Sequence, residues 1–243
     1  MEASEASTAG IVGPVLSVWA HPDDETYLAA GAMAAAVRDG HRVVCVTATR
    51  GEQGSTDPQR WPPGEELAAV RTVELERALA HLGVHEHHWL DYPDGGCADV
   101  DEGEAVARIR GLLDEVDPRL VLTFAPDGQT GHSDHITVSR WVGLAVDSLS
   151  GERPRPRVLH ARASSEWLAR WRPVLEPLGV YMGFEPVSTP RAELALCLDL
   201  DGDLLAAKMN ALREQASQTE AVIAALGEEF MSEGLREEGF VEG

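Results

Sequence analysis

The stretch "AHPDDE" (20–25) puts a histidine, two aspartates and a glutamate within five residues, directly behind small apolar side chains. Adjacent carboxylates repel, and Pro22 offers no backbone donor, so folding alone does not account for this composition. Farther along, "GHSDH" (131–135) sets His132 and His135 three apart at the expected start of a helix, which turns both to one side. Catalytic zinc typically takes about three nitrogen or oxygen ligands and keeps one position open for water. A His/Asp pair from the first stretch and a histidine from the second meet that count. One acidic residue is then left to take a proton from water. The chemistry indicated is metal-assisted hydrolysis.

Such residues need a frame to bring them together. "GPVLSVWA" (13–20) reads as a buried strand, "ETYLAAGAMAAAVRDG" (25–40) as an Ala-rich helix and "HRVVCVTAT" (41–49) as a second strand. Strand, helix and strand in succession make a βαβ unit, hence a parallel sheet with a right-handed crossover. A polar loop (50–64) precedes a helix over 65–83, a short strand over 87–92, a helix over 104–116, a strand over 119–125 and a helix over 133–149. Strands are expected over 157–163 and 193–200, a long helix over 201–226, and an acidic C-terminal tail over 228–243 tacked down by Phe230, Met231, Leu235 and Phe240. Residues 1–12 read as a disordered lead. The alternation predicts one α/β domain spanning 1–243, a Rossmann-like three-layer sandwich with a mostly parallel sheet. Ligands in such sheets bind beyond the carboxyl ends of the strands. There the sequence places His21–Glu25, Arg50–Glu52, Asp91–Gly95 and Asp127–His135, each following its own strand.

The formal charge of −21, from 20 basic and 41 acidic side chains, argues against nucleic acid and anionic membranes as partners. No apolar run reaches the roughly 18 residues that suggest a membrane span, and the acidic N-terminus lacks the basic region of a signal peptide. Cys45, Cys97 and Cys197 are odd in number and form no CxxC pair, which points to buried thiols in a reducing cytoplasm. A homo-oligomer stays open. The second histidine cluster, "HLGVHEHH" (81–88), sits at a helix end and reads as surface histidines. Ser133 reads as a helix cap, because no G-x-S-x-G elbow surrounds it. His21, Asp23 and His135 also satisfy the facial triad of non-haem iron(II) oxygenases, a reading that the α/β pattern opposes.

At these residues the sequence resembles the LmbE-like, or PIG-L, family of zinc-dependent N-acetylglucosaminyl deacetylases. "AHPDDE" and "GHSDH" carry the resemblance, supported by "TRGEQGS" (49–55), Arg71 with Glu74, "DYPDGG" (91–96) and "SQ" (217–218), all in the family's order. The resemblance implies an LmbE-like fold and hydrolysis of the acetamide of an N-acetylglucosamine-type conjugate to a free amine and acetate. It implies His21, Asp24 and His135 as ligands of Zn2+ or another divalent metal such as Fe2+. Asp23 becomes the general base. His132, as imidazolium with Asp134 or Asp127 behind it, becomes the oxyanion stabiliser. Glu52, Arg71 and Asp94 become sugar contacts. Trp61, Trp167, Trp171 and Tyr181 are expected in the pocket walls. Gln215 stands where the family often has a histidine. Two other readings stay open: an amidase acting on a larger thiol or glycoside conjugate, and a non-catalytic sugar-binding member.

Overall fold

The computed structural model describes residues 10–149, 151 and 154–243. The expected disordered lead lies outside the described residues over 1–9, whereas Ile11 is buried in the core. The chain runs β1 (Val15–Trp19), α1 (Asp24–Arg38), β2 (Val43–Thr49), α2 (Glu65–His81), β3 (Glu86–Tyr92), α3 (Glu102–Val116), β4 (Leu120–Phe124) and α4 (Ser133–Asp147). It continues through β5 (Arg157–Ala161), β6 (Ala163–Ser164), α5 (Ser165–Leu175), β7 (Ser188–Thr189), β8 (Leu196–Asp199), α6 (Gly202–Glu214), α7 (Ala216–Leu226), α8 (Glu228–Leu235) and β9 (Glu237–Glu242).

Seven strands form one sheet in the order β3-β2-β1-β4-β5-β9-β8, parallel from β3 to β5, while β9 runs antiparallel to both of its neighbours. Every residue of β1, β2 and β4 is buried, as expected of central strands covered by helices on both faces. Helices α1 and α2 pack against α6, while α3 packs against α4. The order of connection reverses between β1 and β4, which makes the gap beyond their carboxyl ends the topological switch point. His21 follows β1 and His135 follows β4. The α/β sandwich expected from the sequence is the observed architecture.

The C-terminal segment differs from the expected tail. Residues Glu228–Glu242 form α8 and β9, and β9 is inserted between β5 and β8. The acidic composition conceals an alternation: Glu238 and Phe240 both point into the protein, 2% and 0% exposed. Glu238 is accommodated in the interior because donors surround it. Its carboxylate accepts from the N–H groups of Gly31 and Ala32 (2.8 and 2.9 Å) and from Lys208 Nζ (2.8 Å), and Lys208 also donates to Tyr27 O (2.8 Å). The ion pair is thereby fastened to the backbone of α1. Gly31 is required here, because a Cβ would lie 2.3 Å from Leu200.

The long helix expected over 201–226 breaks at Gln215, whose φ of −89° and ψ of 46° end α6 and redirect α7. The break presents the Ser217 N–H and hydroxyl to Glu74 on α2 (2.8 and 2.5 Å).

Removing one member of a fully buried ion pair strands the other, at a cost of about 3–5 kcal/mol. Lys208→Met is therefore expected to lower the urea midpoint by an amount equivalent to about 3–5 kcal/mol. The exposed pair Arg60–Glu220 provides the control, and Arg60→Met should change stability by less than about 1 kcal/mol.

Candidate metal centre and active site

The turn after β1 is tight and strained. Asp23 has φ 115°, a left-handed conformation that is costly for a residue with a Cβ and is kept only where its surroundings enforce it. Four hydrogen bonds do so. Asp23 N donates to Glu25 Oε2 (3.0 Å), the N–H groups of Thr26 and Tyr27 donate to Asp23 O (both 2.9 Å), and Arg71 Nη2 donates to Pro22 O. Asp24 then closes the turn by accepting from His21 N at 2.8 Å. On the facing turn, His132 caps α4, and the His135 ring stacks on Phe124 at a centroid distance of 4.2 Å. Gly128, with φ 70°, lets its backbone approach His135; a Cβ would lie 2.9 Å from His135 Cβ.

Three electron-pair donors converge between these turns. His21 Nδ1 lies 3.2 Å from His135 Nε2 and 3.4 Å from Asp24 Oδ2, and His135 Nε2 lies 3.3 Å from Asp24 Oδ1. The outer ring nitrogens fix the tautomers. His21 Nε2 faces Asp94 Oδ1 (3.1 Å) and Asp134 Oδ2 (3.3 Å), so it carries hydrogen; His135 Nδ1 faces Gly128 O (3.0 Å), so it does as well. In the neutral rings, the inner nitrogens therefore point lone pairs at each other and at a carboxylate. Only a cation reconciles that arrangement. A tetrahedral cation with bonds of about 2.1 Å spaces its ligands about 3.4 Å apart, which these donors match. Carboxylates and a carbonyl holding the outer N–H groups are the usual support of metal-ligating imidazoles. Without a metal a proton fills the role: burial lowers the His21 pKa, but Asp134, Asp24 and Asp94 outweigh it and raise the value well above normal.

His132 belongs to the same group of histidines, its ring 4.8 Å from that of His21 and 4.9 Å from that of His135. Its Nδ1 accepts from Asp134 N (3.1 Å), which leaves the proton on Nε2. The expected imidazolium is not supported by its surroundings. Asp134 spends its carboxylate on Gly95 N, Cys97 N and His21, and Asp127 pairs with Arg162 at 2.6 Å. Burial, followed by the neighbouring His21, holds the His132 pKa below the usual imidazole value. The neutral ring is a donor through Nε2.

The neighbouring aspartates diverge. Burial pushes Asp24 up, but His135 and His21 outweigh it and hold the pKa at about 2. Burial also pushes Asp23 up, and Asp24 and Glu25 add to it; Arg71, 3.6 Å away, only partly offsets them, so the pKa reaches about 7. Adjacent carboxylates driven apart in this way are suited to different tasks, one staying ionised and the other exchanging a proton near neutrality.

The expected sugar contacts are all engaged by protein groups. Arg71 is 3% exposed and spends its guanidinium on Pro22 O, Gly51 O (2.8 Å) and Asp23, so it positions the turn from behind. Asp94 is engaged by His21 and by Gln53 N (2.8 Å), with its pKa about 2: burial raises it, and His21 more than compensates. Glu52 accepts from Asp94 N (2.9 Å) and ties the turns after β2 and β3 together. Among the expected wall residues, Trp167, Trp171 and Tyr181 line a cavity of about 380 Å³ that reaches Asp24 and His135. Trp61 does not; it lies under the Arg60 guanidinium. The second histidine cluster stays apart, with His81 on Glu214 and His87 on Thr47. Cys45 and Cys97 are buried free thiols, whereas Cys197 is half-buried.

Residues 16–146 match the family described as "PIG-L: GlcNAc-PI de-N-acetylase". A 1D-myo-inositol 2-acetamido-2-deoxy-alpha-D-glucopyranoside deacetylase of Saccharomonospora viridis is 32% identical over 231 residues, covering 84% of each chain. The chain belongs to the PIG-L family. A deacetylase of the same description from Mycobacterium sp. (strain KMS) is 35% identical over 165 residues, 60% of this chain; the match spans about half, 54%, of that relative's length. The fold is that of N,N'-diacetylchitobiose deacetylase from Pyrococcus horikoshii, with a TM-score of 0.59 and 23% identity over 94% of this chain and 83% of that one.

The structure gives the weaker family motifs physical roles. Glu74 holds the N-terminus of α7 through Ser217, and Gln218 Nε2 donates to Gly54 O (2.7 Å), anchoring the loop after β2. Gln215 reaches neither the cavity nor the metal group; its Nε2 donates to Glu25 Oε1 (2.7 Å), beneath Asp23. Sequence reasoning missed Glu25 and the Asp134–His21 contact. The clue was the additional acidic residue in each motif, Glu25 at the end of the first and Asp134 just before His135 in the second, which nothing else in the local sequence required.

Metal binding at 100 times its Kd contributes about 2.7 kcal/mol, equivalent to about 5–10 °C in Tm for a chain of this size. Zinc added to chelator-stripped protein is expected to raise Tm by that amount and to release protons, more of them as pH falls. His135→Ala should abolish both effects, as read by differential scanning fluorimetry and titration in two buffers.

Proposed function

We propose that this chain is a zinc-dependent de-N-acetylase that hydrolyses the acetamide of an N-acetylglucosamine-type conjugate to a free amine and acetate. The observation that carries the reading is the convergence of His21, Asp24 and His135, their donor atoms 3.2–3.4 Å apart, beside an Asp23 whose pKa is raised to about 7. Membership of the PIG-L family supports it. The small substrate is neutral at the amide, which suits a chain of strong negative charge.

In this mechanism His21, Asp24 and His135 would hold zinc. When bound, zinc polarises the amide carbonyl and lowers the pKa of water to about 7. Asp23 takes the proton from the attacking water, with Arg71 beside its carboxyl and Glu25 holding its backbone N–H. A carboxyl with pKa near the working pH is the efficient choice for this transfer. The neutral His132 donates from Nε2 to the oxygen that becomes negative as water adds to the carbonyl carbon, an interaction commonly worth about 3 kcal/mol. Asp23 then passes its proton to the departing nitrogen as the C–N bond breaks. The products are the amine and the carboxylate.

The first measurement is primary-amine release from N-acetylglucosaminides by chelator-stripped protein, with and without zinc. Release that depends on zinc is expected; none from any conjugate, with zinc shown to be bound, would overturn the reading. Asp23→Asn should keep the zinc-dependent Tm shift and lose at least about a hundredfold in kcat. His132→Ala should lose about 10²–10³-fold in kcat with the metal retained. Because Asp23 must be deprotonated to act and its pKa is raised, wild-type kcat/KM should fall about tenfold per pH unit below about pH 7.

A further inference from the structure

The metal group lies between two unlike surroundings. On the β2–β3 side are the polar turns that carry Glu52 and Asp94. On the β5–β9 side is the cavity of about 380 Å³, which reaches Asp24 and His135 but is not lined by Asp23, Glu52, Asp94 or His132. Its walls are apolar, from Leu168, Trp171, Val222, Phe230 and Met231, with Leu178 at the rim. Leu178 is 47% exposed, and the neighbouring Met182 and Val187 are 68% and 46% exposed, so the apolar surface continues outward.

The charges within the cavity wall are already paired. Arg162 is held by Asp127 (2.6 Å), Glu237 by Arg191 and Glu238 by Lys208. An ionic ligand group would find no counter-charge there. One polar group does await a partner: the Tyr181 hydroxyl is buried without a hydrogen bond. This wall is built for a neutral, largely apolar group.

The reaction decides which part of the substrate enters. A carbonyl carbon at the metal group has the sugar nitrogen on one side and the acyl carbon on the other. Sugar hydroxyls belong with the polar turns, so the acyl carbon points toward the β5–β9 side. The methyl of an acetyl group would fill little of that space. We propose that the cavity is an acyl pocket and that this chain hydrolyses glucosaminides carrying medium-length aliphatic N-acyl groups in preference to N-acetyl. The inference rests on the deacetylase reading above. Water adds across the same amide bond, the C–N bond breaks, and the products are the free amine and the medium-chain carboxylate.

The test uses the full-length, zinc-loaded chain and methyl glucosaminides N-acylated with acetyl, butanoyl, hexanoyl or octanoyl. A second series keeps N-acetyl and lengthens the aglycone from methyl to octyl. Burial of each methylene is worth roughly a three- to fourfold gain. The expected result is a kcat/KM at least tenfold higher for hexanoyl than for acetyl, with little response to the aglycone. Val222→Trp, which fills the cavity, should cut that ratio to near one. Leu178→Asp, at the exposed rim where folding tolerates a charge, should lower it as well. Hydrolysis of the acetyl substrate with rates falling along the acyl series, or a gain that follows the aglycone instead, would overturn the acyl pocket and leave the deacetylase standing. No amine from any substrate would overturn both.

Discussion

The site is governed by the electrostatic cost of gathering Asp23, Asp24, Glu25, Asp94 and Asp134 at one sheet edge. Each is kept in place by a different set of donors. Asp134 has two backbone N–H groups and His21; Asp94 has Gln53 N and His21; Glu25 has Thr26, Asp23 N and Gln215. Asp24 has His21 N and the two imidazoles. Among the described residues, the Asp23 carboxylate has only Arg71, at 3.6 Å. Burial pushes the Asp23 pKa up to about 7 and the single Arg71 contact only partly offsets it, whereas the two imidazoles beside Asp24 outweigh its burial and hold its pKa at about 2. The two neighbours thus part because burial is offset unequally, and not because the residues differ in type.

The fold makes this gathering affordable by placing it at the switch point. Beyond the carboxyl ends of β1 and β4, adjacent connections leave in opposite directions, so two turns face one gap without competing for it. The start of α1 is further tied to the far end of the chain. Glu238 on β9 and Lys208 on α6 bond to the backbone of Tyr27, Gly31 and Ala32, in the first half of the helix that Asp24 opens. The last strand is therefore part of the frame that fixes the first turn.

Much of this was legible in the sequence. β1, β2 and β4 are continuous apolar runs, and the turns that follow them carry the unusual residues, so the sheet edge and the metal group could be read together. The rest was hidden for identifiable reasons. β9 looked like an acidic tail because its buried glutamate is neutralised by a lysine thirty positions earlier, a pairing that no local pattern announces. The break at Gln215 was invisible because both flanking segments are good helix formers; the tertiary contact of Ser217 with Glu74 decides it. Arg71 is expected as a sugar contact on the family resemblance alone, and arginine is seldom buried, so nothing in the local sequence announces a supporting role. Here it supports the carbonyls of a strained turn, which only the folded backbone reveals.

Gln215 bears on the same balance. It sits beneath the turn, donates to Glu25, and through Glu25 supports the N–H of Asp23. A histidine there could supply the same hydrogen bond, but once protonated it would add a positive charge beside Glu25 and Asp23. That charge would draw the Asp23 pKa down, away from the value that suits a base. The neutral amide keeps the support and omits the charge. It has a cost: Gln215 Oε1 is buried without a partner, which typically destabilises by about 1–3 kcal/mol. A buried amide that sacrifices stability while sparing the field at Asp23 fits the tuning of the proposed base better than the decay of an unused site.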